Sequence, residues 1–99
     1  MTIIDIIKSP VFAYRFRVFL MNGDKIDFGS RANKYEYIDT HNDEFRWNYY
    51  KYMPPKYKKK LIKLRPNKIT FESVLLNGPS TNIIDNINYY NKFLQNKTI

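Results

Sequence analysis

The stretch VFAYRFRVFLMNGDKIDF, residues 11–28, decides the fold of this chain. Its first ten residues are rich in aromatic and β-branched side chains, Asn22-Gly23 supplies a turn, and Lys25, Ile26, Asp27 and Phe28 return, which spells an antiparallel hairpin. The side-chain faces choose its register. A two-residue Asn22-Gly23 loop pairs Phe19 with Ile26 and Val18 with Asp27, mixing apolar and charged residues on both faces. A three-residue loop, Met21-Asn22-Gly23 with Gly23 left-handed, pairs Val18 with Ile26 and Phe16 with Phe28. The second register is preferred. It gathers Tyr14, Phe16, Val18, Leu20, Ile26 and Phe28 on one face and sets Arg17 opposite Asp27 on the other, a favourable cross-strand charge pair.

Downstream of the hairpin, residues 35–38 are expected to add a short third strand. Helical patterning then begins. Thr40 reads as an N-cap, Asp43 and Glu44 place negative charge in the first turn, and Phe45, Tyr49, Tyr52 and Met53 recur at helical spacing up to Pro54-Pro55. A second, basic helix starts there, since proline is accommodated in a first helical turn; Tyr57, Leu61 and Leu64 face inward from it and Pro66 stops it. Residues 69–76 form an apolar segment of undetermined type, closed by Asn77-Gly78-Pro79. Ser80, Thr81 and Asn82 offer caps for a last helix with Ile83, Ile84, Ile87, Tyr90 and Leu94 on one side. The expected fold is one α+β domain over residues 1–99, an N-terminal antiparallel hairpin or small three-stranded sheet packed by two to four helices.

Upstream, the apolar start is interrupted by Asp5 and followed by Lys8 and Pro10, too short and too charged for a signal segment or a spanning helix. A chain of 99 residues supports one core, which excludes a large multi-domain enzyme. With no cysteine and one histidine, His41, disulfide frameworks, thiol nucleophiles and multi-His metal sites fall away. Charge is the strongest compositional signal. Seventeen Lys and Arg against nine Asp and Glu give a net +8, and such a body is drawn to polyanions: nucleic acid, anionic lipid or an acidic protein face.

The order of features resembles a small domain family, without an assigned activity, encoded by nucleocytoplasmic large DNA viruses. The residues that carry the likeness are the strand ending in Asn22-Gly23, the closing Phe28-Gly29, the stretch YEYIDTHNDE at 35–44, and the segment 75–80 followed by an Ile- and Asn-rich last helix. The likeness covers roughly residues 14–93. Family members often carry an Arg-His pair after the first helix and tryptophans before the last one, whereas this chain reads Tyr52-Met53-Pro54 and Phe71-Glu72-Ser73-Val74 there. The resemblance implies a similar fold and a viral setting, in the virion or in the cytoplasm or nucleus of an infected cell, and brings no activity with it.

Between Glu44 and Glu72 lie 27 residues without an acid, and they hold nine basic side chains: Arg46, Lys51, Lys56, Lys58, Lys59, Lys60, Lys63, Arg65 and Lys68. Interleaved with them are Trp47, Tyr49, Tyr50, Tyr52 and Tyr57. Lysine and arginine neutralise phosphates while exposed rings, Trp47 and Tyr50 foremost, can stack on bases, so this mixture suits polynucleotide binding. The apolar face offered by Leu61, Ile62 and Leu64 is too small to favour a lipid surface. Arg15, Arg17 and Lys25 form a second, weaker basic surface on the hairpin. His41 stands among carboxylates in Asp39-Thr40-His41-Asn42-Asp43-Glu44, but starting a helix accounts for that stretch, and no phosphate loop or metal motif calls for catalysis, a metal or a cofactor. The sequence therefore reads as a non-enzymatic nucleic-acid-binding module, of DNA or RNA, acting mostly through phosphates with little sequence specificity. The alternative is a minor virion or scaffold protein whose basic face docks on an acidic partner.

Overall fold

In a computed structural model, which describes residues 2–63 and 65–97 with the side chains of 60–63 and 94–97 set aside, strands β2 (Tyr14–Leu20) and β3 (Lys25–Ser30) form the expected hairpin. Val18 pairs with Ile26, Phe16 with Phe28 and Arg17 with Asp27, and Gly23 is left-handed at φ 92°. The three-residue loop is thus the observed one. Arg17 and Asp27 meet across the strands through two hydrogen bonds of 2.9 and 3.0 Å.

The third strand is not at residues 35–38. It is β1 (Ile3–Lys8), which pairs antiparallel with β2 on the side away from β3, giving the order β1-β2-β3. A bulge between Ile3 and Asp5 shifts its register, leaving Ile4 exposed. Residues 37–40 instead form one helical turn, α1 (Tyr37–Thr40), because Asp39 reaches back to accept the Glu36 N–H at 3.2 Å and nucleates a helix start. His41, at φ 53°, ends that turn.

That early turn also displaces the expected cap. Thr40 belongs to α1, and Asn42 caps α2 (Asp43–Lys51), its side chain accepting from Glu44 N–H at 2.9 Å. The inward residues of α2 are Arg46, Tyr49 and Tyr50, followed by Met53; Phe45 and Tyr52 point outward, contrary to the helical spacing read from the sequence. Pro55 opens α3 (Pro55–Lys63), as expected. The inward roles given to Leu61 and Leu64 lie outside the described residues.

The undetermined segment resolves into α4 (Lys68–Phe71), capped by Asn67, running directly into a π-helical turn over Glu72–Leu76. Helix α5 (Ile83–Lys97) starts at Asn82, whose side chain accepts from Ile84 N–H at 2.9 Å. Ile87 and Tyr90 turn inward and Ile83 packs partly against them, while Ile84 faces solvent and Leu94 is outside the described side chains.

The core lies between the inner face of the sheet and the last third of the chain. Ile3, Val18, Leu20 and Phe28 meet Phe71, Leu75, Leu76, Ile87 and Tyr90, with Phe16 and Ile26 half-buried at its margin. Phe71 is its centre, with ring centroids 5.6 Å from Phe28 and 5.5 Å from Tyr90. Asn91 of α5 clamps the outer edge of β1: its Oδ1 accepts from Ile3 N–H at 2.9 Å and its Nδ2 donates to Ile3 O at 2.8 Å. One carboxamide thereby stands where a fourth strand would pair. The architecture is the α+β arrangement expected from sequence.

Candidate nucleic-acid interface

Helix α2 is fixed to the body by a polar network centred on buried Asn77. The Asn77 Oδ1 accepts from Tyr37 N–H at 3.1 Å, and its Nδ2 donates to the Glu36 carboxylate and to Glu72 O. Above it, the Tyr50 hydroxyl donates to Ser73 O at 2.6 Å and Asn77 O at 2.8 Å, and Arg46 Nε donates to Asn77 O at 3.1 Å. The Tyr49 hydroxyl lies 2.9 Å from Ser73 Oγ. The π turn over Glu72–Leu76 supplies Ser73, and its C-cap residue supplies the Asn77 carbonyl. Burial pushes the Tyr49 and Tyr50 phenols up, so both keep their protons as hydrogen-bonding groups. Burial likewise raises Glu36, with Asn77 pulling the other way, and raises Glu72.

Two residues singled out for nucleic acid, Arg46 and Tyr50, are therefore committed inward. Arg46 also lies over the Tyr50 ring, 5.5 Å from its centroid. Lys68 is drawn away in a similar manner, its Nζ donating to the Tyr14 hydroxyl and lying 4.3 Å from that ring. The side chains of Lys60 and Lys63 are outside the described residues, and Arg65 is exposed beyond α3.

What remains outward is concentrated where α2 meets α3. Trp47 is 75% exposed, and Lys51, Lys56, Lys58 and Lys59 are exposed with it. Trp47, Tyr50, Lys51 and Lys58 line an open groove of about 630 Å³. A second groove of about 450 Å³ is lined by Tyr49, Tyr52, Met53, Pro54 and Tyr57, with Glu72 also on its lining. Lys51 Nζ lies 5.4 Å from the Tyr52 ring and Lys56 Nζ 5.0 Å from the Tyr57 ring, so cations and rings alternate along this edge.

The weaker basic surface is largely neutralised. Arg17 is held by Asp27, and Arg15 pairs with Asp39, leaving Lys25. The Arg17 guanidinium holds Asp27 below the usual carboxylate range; burial pushes Asp39 up, but Arg15 outweighs it and the net shift is down. A cluster missed in the sequence gathers Lys8, Arg15, Arg31 and Lys34 round a cavity of about 440 Å³ at the end of the sheet. Its members lie on separate strands and loops, so no spacing rule joins them. Within the His41 stretch the acids diverge: Asp39 goes to Arg15 and Asp43 accepts from the Tyr37 hydroxyl at 2.8 Å. Among the described residues no group of three or more His, Cys, Asp or Glu could hold a metal, and no helix is long and apolar enough to cross a membrane. Compared with protein-family models, curated proteins and solved structures, the chain matches none.

Proposed function

We propose that this chain is a non-enzymatic basic module that binds nucleic acid mostly through phosphate contacts, with little sequence specificity. The observation that carries this reading is the cluster at the α2–α3 junction. Exposed Trp47, Lys51, Lys56, Lys58 and Lys59 stand together there, and the acids of these two helices, Asp43 and Glu44, are confined to the first turn of α2. The viral setting is part of the proposal and is supported by the sequence likeness over residues 14–93.

The lysines of α3 spread round a helix and cannot all face one ligand, so about three or four phosphates are contacted and the log-log salt slope on duplex DNA is about −3. A filter-binding titration against duplex DNA, single-stranded DNA and RNA at two salt concentrations checks this. Reversing Lys51, Lys58 and Lys59 to Glu is expected to abolish binding while leaving the unfolding midpoint nearly unchanged. Failure of the wild-type chain to bind any of the three at about 50 mM salt, with capture of one acidic protein through the same lysines, overturns the reading.

A further inference from the structure

Trp47 stands between two grooves of opposite charge. On one side it lines an open groove with Asp43, Glu44 and Arg46; on the other it lines the groove of Tyr50, Lys51 and Lys58. Phosphates are repelled from the first and drawn along the second, so the indole at the boundary faces whatever those phosphates carry. Tyr50, one turn further along α2, is held firmly: its hydroxyl is tied to two carbonyls, its ring stands perpendicular to that of Tyr49 at 5.2 Å, and Arg46 lies over it.

We infer that this groove takes an unpaired nucleobase stacked on Trp47, with Lys51 and Lys58 on the flanking phosphates, so that single-stranded nucleic acid is preferred to duplex. The inference rests on the nucleic-acid reading above and narrows it. In a duplex the base faces are covered by their own neighbours, and only an unpaired strand can offer a face to the indole.

Trp47 is the chain's single tryptophan, so its emission reports on the groove directly. The experiment titrates the full chain with end-labelled oligothymidylate, oligouridylate and a duplex of the same length. Label anisotropy follows binding and Trp47 emission follows stacking. A single strand, of DNA or RNA, is expected to bind about tenfold tighter than duplex and to quench Trp47. Trp47→Ala is expected to lose about tenfold in single-strand affinity, bringing it level with duplex affinity, with the thermal midpoint unchanged, and Trp47→Phe to retain part of the difference. Equal affinity for both forms with unchanged Trp47 emission overturns the base slot and leaves phosphate binding standing. Absence of binding to every oligonucleotide overturns both, as does capture of an acidic protein through Lys51 and Lys58 in place of nucleic acid.

Discussion

Thr70 is fully buried, and among the described residues its Oγ1 is a buried side-chain atom without a hydrogen-bond partner. Valine has the same shape without the hydroxyl. Thr70→Val is therefore expected to raise stability by about 1 kcal/mol in urea unfolding, and a loss of similar size is the contrary result. His41 poses a different local problem, since a residue with a Cβ holds φ 53° to close α1. His41→Gly is expected to gain about 0.5 kcal/mol in thermal unfolding and to leave oligonucleotide binding unchanged. Binding that disappears with this imidazole would give His41 a role beyond ending a turn. Arg46 and Tyr50 show that residue type alone does not fix where a polar group is spent. Both carry groups that suit nucleic acid, yet both use them on the buried carbonyl of Asn77.

Among the elements, the hairpin was legible because face alternation and turn chemistry agree on one register, and the pairing of Phe16 with Phe28 follows from both. Strand β1 was illegible. Ile3, Ile4, Ile6 and Ile7 put apolar residues on both faces, and the bulge breaks the alternation that would have marked them. The segment leading into the π turn was ambiguous because a short apolar run fits a buried strand or a buried helix equally well. Of the candidate interface, the acid-free basic run could be read, whereas which lysines gather round Trp47 depends on the direction α3 takes after Pro54-Pro55. The turn after the π helix shows what tertiary packing adds. Asn86 is buried, donates to Leu75 O at 2.9 Å and Ser80 O at 2.8 Å, and accepts from Ser80 N–H at 2.9 Å. A Cβ on Gly78 would lie 2.2 Å from Val74 O and 2.8 Å from the Asn86 carboxamide carbon. Gly78→Ala must push this turn apart, and a loss of at least about 2 kcal/mol is expected by denaturant titration; a neutral result would mean that the turn relaxes freely.

For the whole molecule, the buried polar network sets how stability depends on pH. The folded pKa values of Glu36 and Glu72 lie above the ordinary 4.5, so the folded chain holds extra protons above that pH, and stability falls as pH rises through the raised values. Asp27 and Asp39 lie below the ordinary 3.8, so the stability they add is present above that value and is lost as pH falls through the lowered ones. At about 0.5 M salt, where the repulsion within a +8 body is screened, the unfolding midpoint is expected to rise as pH falls from neutral toward 4.5 and to drop below about pH 3.8. Glu72→Gln is expected to flatten the first limb; a midpoint that stays level from neutral pH down to 4.5 in the wild-type chain contradicts these burial effects. The Asn91 clamp on Ile3 bears on how the chain is made. A ribosome delivers β1, β2 and β3 first, but the carboxamide that seals the edge of β1 comes 88 residues after the backbone it grips. Phe71, Leu75, Leu76, Ile87 and Tyr90, which cover the sheet, also emerge late. Once β3 has left the exit tunnel, the nascent chain therefore holds strand segments without their cover or their edge clamp, and its solubility in that interval depends on whatever shields them until α5 follows.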